Sequence, residues 1–478
     1  MAEYDDLEMS IRREYIQFRV DGADYEGPTD FSAETLNRLE ELSSFESQWE
    51  DYGDELFRAT FRDRALRGYQ QLRRAVESGR RFRLRLNIHP GVPRIHRLLW
   101  ECLYDSERPP QRLGCARSTP LSRYLRLGVT RQPPEIETLR ILVVISNPED
   151  LGVKGGKWAR YPRLDEGQER GVIEGVLKEL REEGRVEYDW QDKPASWAMI
   201  RQRLYRDGFH VLHFVGHGGF LNERGHLLLE KEEDETVDPV GEKDLAEMVT
   251  GLPDLQLVVL AACFSAKRTD ADVFGGLAPR MVEYGVPAVV AMQQQVDQTA
   301  AQLFTKAFYD ALLSAKETRG LVDAAVNAAR DDLFFRLGRE TPWAWTIPVL
   351  FMRGGGKLFE TAQAESRSRG SMDQQDEIAR FRSLLQLAEE LGMPLGRVGT
   401  GAPATARLSP LERPVARVGQ AVSAAVGQPA SWQMQLAKDL PGAPTLAGGK
   451  RVGGAGLGEG SFGADSAEIR MWGRGSGG

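Results

Sequence analysis

The stretch TLRILVVIS (138–146) decides the fold class of this chain. It is a continuous aliphatic run that ends at Asn147 and Pro148, which is typical of a strand buried on both faces. Strands of the same kind follow and alternate with helical patterns, so the sequence predicts a mainly parallel sheet with helices on both faces. We expect a three-layer α/β/α domain over residues 136–355. Its further strands are predicted at 186–190, 209–216, 226–230, 255–262, 286–292 and 346–354, and its helices at 164–183, 195–206, 241–250, 273–284, 298–315 and 319–335.

The first 135 residues show a different pattern of charged helices and short strands, which predicts an α+β region over 1–135. RIHRLLWECLYD (94–105) carries apolar residues at helical spacing and places Cys102 on a buried face, where a thiol is usually inert. The other elements are strands at 13–20 and 81–88 and helices at 31–43 and 53–78.

The composition changes abruptly after Gly354. ESRSRGSMD (365–373) is typical of a linker, and one amphipathic helix is predicted at about 374–392. The rest is rich in Gly, Pro and Ala, which is typical of a low-complexity, disordered segment. We therefore assign 356–478 to a linker, one helix and a tail.

Charge and cysteine content limit the possible function. The formal net charge of the 478 residues is −8, so nucleic acid is not expected as a partner. Cys102, Cys115 and Cys263 have long, unrelated spacings that give neither a disulfide framework nor a metal-binding pair. The amino terminus lacks an apolar signal segment, and no run approaches the roughly 18 apolar residues of a membrane span. We expect a cytoplasmic protein without membrane contact.

The candidate catalytic residues follow the ends of two predicted strands. The strand at 209–216 runs directly into His217 and Gly218, and the strand at 255–262 runs directly into Cys263. Reactive groups of open α/β sheets gather at the carboxyl ends of strands. If the two strands are neighbours, the imidazole can accept the thiol proton, and the backbone N–H groups of Gly218 and Cys263 can form an oxyanion hole. A turn histidine and a buried cysteine are the alternative.

Two more histidines, His210 and His213, are interpreted as structural residues of the same strand. His213 and His217 have the i, i+4 spacing of a helical zinc site, but the glutamate of HExxH is missing and a strand would separate the rings by about 13 Å. We therefore predict no metal site.

The motifs HFVGHG (213–218) and LAACFSA (260–266), in which Cys263 follows His217 by 46 positions, resemble the CHAT family of bacterial caspase-like proteins. That family belongs to the clan of caspases, separases and gingipains. The resemblance extends over roughly residues 80 to 355, through the segments 86–105, 121–128, 139–151 and 273–312. It implies a caspase-like fold, with Cys263 as nucleophile, His217 as general base and acid, Gly218 and Cys263 as oxyanion donors, and no cofactor.

The substrate pocket is less well marked. Asp297 occupies an acidic position that, by resemblance to separases, receives a basic P1 side chain; the alternative is that it caps the helix predicted at 298–315. Met292 and the three glutamines after it replace the aromatic residue of many family members. Glu149 and Asp150 form a second candidate acid pair, with loop solvation as the alternative.

The resemblance implies a cysteine endopeptidase that cleaves a specific protein, such as a gasdermin-like pore former in bacterial antiviral defence or regulated cell death. Self-cleavage near Arg367 or Arg369 is a further expectation, because both lie in the predicted linker. A catalytically silent scaffold and a hydrolase of small acyl compounds are the alternatives.

Overall fold

The computed structural model describes residues 4–44, 48–89, 92–126, 132–221, 224–262, 273–294, 298–313 and 317–361. The predicted helix at 374–392 and the rest of the predicted tail lie outside the described residues. The strands are β1 (Asp5–Ile11), β2 (Tyr15–Val20), β3 (Ala23–Pro28), β4 (Phe82–Ile88), β5 (Tyr104–Asp105), β6 (Gln111–Arg112), β7 (Leu121–Tyr124), β8 (Glu135–Ile136), β9 (Leu139–Ile145), β10 (Val186–Trp190), β11 (Val211–Leu221), β12 (Arg224–Glu230), β13 (Val237–Gly241), β14 (Leu257–Ala262), β15 (Ala288–Met292), β16 (Pro348–Met352) and β17 (Glu360–Thr361).

The α-helices lie mostly where the apolar periodicity predicts them. They are α1 (Ala33–Leu42), α2 (Trp49–Thr60), α3 (Asp63–Glu77), α4 (Pro93–His96), α5 (Glu166–Glu182), α6 (Trp197–Asp207), α7 (Glu242–Val249), α8 (Val273–Glu283), α9 (Gln298–Leu313) and α10 (Val322–Leu337). The single pattern at 53–78 is two helices, because the chain is extended at Phe61 and Arg62.

A mainly parallel sheet forms the centre of the protein, as predicted. Strands run in the order β10-β9-β11-β14-β15-β16-β7-β4-β1-β2-β3, with β12 and β13 attached to β11. Neighbours from β10 to β15 are parallel, and β16 is antiparallel to β15. Strands β9, β14 and β15 are buried along almost their whole length because helices flank the sheet. Helices α5, α9 and α10 contact one another, and α6, α7 and α8 form a second group.

The same sheet continues into the first 135 residues. β7 pairs in parallel with β16, through Phe351 and Arg123, and β4 and β1 follow in parallel register. β2 and β3 complete this side in antiparallel pairing. The strands of the α+β region and those of the α/β region therefore share one hydrogen-bonded sheet.

The predicted helix at 94–105 is wrong for most of its length. The chain forms only the four-residue helix α4 and a short 3₁₀ turn at Trp100–Cys102. The backbone is fixed here by tertiary contacts, since the Tyr52 hydroxyl accepts the Leu99 N–H at 2.8 Å. The burial of Cys102 is confirmed, and burial raises the pKa of its thiol. Among the described helices, none has the length and apolarity needed to cross a membrane.

Candidate active site

Strands β11 and β14 are direct neighbours in the sheet. They pair in parallel register from Val211 with Leu257 to Gly216 with Ala262. The last pair immediately precedes His217 and Cys263 in the sequence. The prediction that the two strands are neighbours is therefore confirmed, while Cys263 itself lies outside the described residues, as do Asp297, Arg367 and Arg369.

One expectation about His217 is wrong: the strand does not end before it. Beyond Gly216 the strand β11 leaves its parallel neighbours and continues to Leu221 as an antiparallel hairpin with β12. His217 pairs with Leu228, and Gly218 pairs with Leu227. The hairpin supplies new backbone partners where the parallel pairing stops, so the histidine lies on extended backbone rather than in a turn.

The His217 ring is held by a backbone carbonyl. Its Nε2–H donates to the oxygen of Pro162 over 2.7 Å, and the side chain is only 2% exposed. Since a carbonyl can only accept, this bond places the proton of the neutral ring on Nε2 and leaves the lone pair on Nδ1. The arrangement gives the imidazole a defined basic nitrogen.

The segment that carries Pro162 is fixed against the sheet. The Asn147 side chain binds the Leu164 backbone on both sides, with Oδ1 accepting its N–H at 2.9 Å and Nδ2 donating to its oxygen at 3.1 Å. A small apolar cluster covers the outside, formed by Leu151, Trp158, Tyr161, Leu228 and Val237. The acceptor for His217 is therefore built into a packed loop.

Glu230, at the end of β12, binds the backbone just after β9. Its carboxylate is fully buried and accepts the backbone N–H groups of Asn147 at 2.9 Å and of Ala195 at 2.7 Å. The Lys193 ammonium lies 4.0 Å away. These two hydrogen bonds from backbone donors fix the chain just after β9.

His213 lies inside the strand, and its ring contacts Tyr309. Its Nδ1 lies 2.9 Å from the Tyr309 hydroxyl, and Nε2 has no hydrogen-bond partner within the described residues. His210 precedes the strand, and its Nδ1 accepts the Arg140 N–H at 3.0 Å. No group of three potential metal-ligating side chains occurs in the part of the chain that the structure covers.

Burial of His213 predicts a pH dependence of stability. Desolvation lowers its pKa to about 4, whereas the unfolded chain takes up the proton near the ordinary value of 6.5. As the pH falls from 6.5 to about 4, the unfolded state binds a proton that the native state does not, so stability decreases by about 3 kcal/mol. His213→Gln should reduce this loss in urea unfolding experiments across that range. An identical pH dependence in wild type and variant would contradict it.

The two loop acids have partners within the chain. Glu149 forms an ion pair with Arg163 at 2.5 Å, and this hydrogen-bonded guanidinium lowers the pKa of the carboxyl. Asp150 Oδ1 accepts the Val237 N–H at 2.8 Å. Both contacts join the segment after β9 to surrounding loops.

A buried ionic network lies at the end of β15. Glu101 pairs with Arg123 at 2.8 Å, and Arg330 lies 3.9 Å from the same carboxylate. Gln293, the first residue after β15, accepts from Arg123 at 2.7 Å and donates to Glu101 at 2.9 Å. Burial alone would raise the pKa of Glu101, but the charge and hydrogen bonds of Arg123 hold it below its usual value. One of the three unusual glutamines therefore joins the network and not an open pocket.

Sequence reasoning missed both Pro162 and this network. Pro162 acts through a backbone oxygen 55 positions from His217, so no residue type marks it. Glu101 did carry a signal, because it stands alone between Trp100 and Cys102 in an otherwise apolar run. An isolated charge in such a run indicates a buried ion pair.

Comparison with known proteins gives one family and several distant structures. The family model of the CHAT domain matches residues 52–353, which is more than half of the chain. A Saccharomyces cerevisiae separase–securin complex is 15% identical, with a TM-score of 0.35, over 69% of this chain and 21% of that one. The Arg-specific cysteine proteinase gingipain R is 10% identical, with a TM-score of 0.37, over 62% and 68%.

A secreted C11 cysteine protease from Bacteroides thetaiotaomicron is 10% identical, with a TM-score of 0.27, over 42% of this chain and 59% of that one. This chain thus spans about a fifth of the first of these structures. No curated protein matches it. On the extent of the family match, the chain belongs to the CHAT domain family.

Proposed function

We propose that this protein is a cysteine endopeptidase in which Cys263 and His217 form the catalytic pair. The observation that carries the proposal is the register of β11 and β14, whose last pair, Gly216 and Ala262, leads directly into these two residues. The bond from Nε2–H to Pro162 supports it further, because it leaves Nδ1 as the base.

The proposed reaction passes through a thioester. His217 Nδ1 accepts the Cys263 thiol proton as the sulfur attacks the scissile carbonyl carbon. The N–H groups of Gly218 and Cys263 stabilise the resulting oxyanion. Nδ1–H then protonates the leaving amine as the C–N bond breaks. Water, deprotonated by the same nitrogen, hydrolyses the thioester and releases the acid and the thiol. The charge on the imidazolium is shared with the Pro162 carbonyl through Nε2–H.

We assign a basic P1 preference to Asp297. A carboxylate at this position would bind Arg or Lys by charge-assisted hydrogen bonds. It directly precedes α9, so a capping role is the competing explanation. Glu149 and Asp150 are secondary candidates; for Glu149 to bind a substrate cation, its pair with Arg163 would have to open.

The proposed substrate is a specific cellular protein, such as a gasdermin-like pore former cleaved during antiviral defence in the bacterial cytoplasm. Self-cleavage near Arg367 or Arg369 would be a second use of the same site. Both proposals follow from the resemblance to the family and from the basic P1 preference.

The test compares wild type with Cys263→Ala on fluorogenic peptides that end in Arg, Lys or Asp. We expect release after Arg and Lys by wild type, none by Cys263→Ala, and a loss of basic preference in Asp297→Asn. Intact mass of the same samples reports self-cleavage. The matched control is Cys115→Ala, which removes a buried thiol on another element and should keep activity.

Three outcomes would contradict parts of the proposal. Peptide release by Cys263→Ala would exclude the nucleophile. Release only after Asp would exclude the role of Asp297. Absence of release from every peptide and from a whole proteome would favour the scaffold alternative, or, if small acyl esters are hydrolysed, the small-molecule hydrolase.

A further inference from the structure

We propose that Gly219 is a positioning residue, which leaves room for the packed Tyr161 side chain and thereby keeps the Pro162 carbonyl on His217. The inference rests on the proposed function for its kinetic test, and a spectroscopic test makes it independent of activity. It concerns two residues, Tyr161 and Gly219, to which the proposed mechanism gives no role.

Tyr161 touches the histidine segment at two points. Its ring lies 5.6 Å from the His217 ring, centroid to centroid, at an angle of 49°. Its hydroxyl lies directly against Gly219, where an added Cβ would overlap it. Because His217 and Gly219 are two residues apart on one strand, side chains at both positions face the same side. Tyr161 therefore occupies the space that a side chain at position 219 would need.

The position of Tyr161 sets the position of the acceptor. Pro162 is the next residue, so a displacement of the tyrosine backbone moves the carbonyl that lies 2.7 Å from Nε2. The tyrosine is itself held on its outer side. Its side chain is 2% exposed, its ring lies 6.2 Å from that of Trp158, and Arg160 donates to its hydroxyl at 2.8 Å. A side chain at position 219 would have to push this packed residue outward.

Gly219 is not required by backbone conformation. Its φ lies outside the left-handed region, so alanine is conformationally allowed there and the overlap with Tyr161 is the only penalty. In the absence of the hydroxyl, the nearest tyrosine atom to an added Cβ would be Cζ at 3.0 Å, a tight contact that small shifts can relieve. Removing the Tyr161 hydroxyl by Tyr161→Phe should therefore make room for an alanine at position 219.

This geometry defines a double-mutant cycle of Gly219→Ala and Tyr161→Phe. We expect Gly219→Ala to lower kcat/KM by about 100-fold, the cost of misplacing a catalytic group by about 1 Å. Tyr161→Phe alone should change kcat/KM little, and the double variant should recover about tenfold. The matched control is Gly175→Ala, since a Cβ at this glycine in α5 meets open space.

The spectroscopic arm uses ¹⁵N chemical shifts of the His217 ring in a Cys263→Ala background, at a pH where the ring is neutral. We expect the Nε2–H tautomer in the parent, a mixture of tautomers after Gly219→Ala, and recovery after adding Tyr161→Phe. Urea unfolding of each variant separates local displacement from global destabilisation.

An unchanged tautomer in Gly219→Ala, or no recovery in the double variant, overturns the inference. A loss of stability with an unchanged tautomer also overturns it, because Gly219 would then serve the fold alone. A wild type without peptidase activity contradicts the proposed function, while the tautomer measurement still decides the role of Gly219.

Discussion

Replacing His217 by alanine is expected to lower kcat/KM for an Arg-ending peptide by at least about 10³-fold while leaving the fold intact. The variant loses the base that generates the thiolate and the acid that protonates the leaving amine, so both halves of the reaction suffer. Its ring nitrogen Nε2 bonds to the Pro162 oxygen, and the strand around it is held by backbone pairing. The measurement is steady-state kinetics combined with urea unfolding.

The matched control is His210→Ala, because His210 directly precedes β11, the strand that contains His217. His210 Nδ1 accepts a backbone N–H, so its removal should cost about 1 kcal/mol of stability and leave kcat/KM unchanged. Wild-type kinetics in His217→Ala would remove this residue from the mechanism. An equal loss of activity in both variants would show that the strand, rather than the ring at 217, is what activity requires.

The largest effect on stability is expected at Glu101. Glu101→Gln keeps the side-chain volume but leaves the buried guanidinium groups of Arg123 and Arg330 without their counter-charge. Removing one partner of a buried ion pair costs about 3 to 5 kcal/mol, a large share of the about 5 to 15 kcal/mol by which domains are stable. We expect a correspondingly lower urea midpoint with an unchanged unfolding slope.

Glu149→Gln provides the comparison, because it also removes a carboxylate from an arginine pair. That pair is exposed to solvent, where screening and side-chain entropy cancel most of the attraction, so its urea midpoint should stay close to that of wild type. Equal midpoints for Glu101→Gln and wild type would show that the two arginines find other acceptors in the native state.

The sequence predicted the fold well where the residues of a strand are enough to show that it is buried on both faces. β14 is aliphatic throughout and β9 is so except for Arg140, and such runs have few alternatives to a buried parallel strand. Prediction failed where a contact with a residue distant in the sequence determines the backbone conformation. The Tyr52 hydroxyl fixes Leu99 in the segment predicted as a helix, and the pairing of His217 with Leu228 prolongs β11 beyond its predicted end.

From the sequence, only the reactive side chains of the candidate site could be predicted, and not the groups that orient them. His217 and Cys263 stand out in the sequence because each directly follows an apolar segment, 209–216 and 255–262. The groups that orient His217 are a carbonyl oxygen and a packed tyrosine, and neither is marked by spacing. An isolated charge was a further signal, since Glu101 interrupts an apolar run and is fully buried.

The pairing of β7 with β16 has a consequence for the tendency of the chain to aggregate. All five residues of β16 are apolar and buried, and β7 pairs with the last two of them, Phe351 and Met352. A fragment that began near residue 136 would present this strand with unpaired backbone donors and acceptors, which is a template for aggregation. The first 135 residues thus act as an edge cap, and expression of the α/β part alone should yield insoluble material.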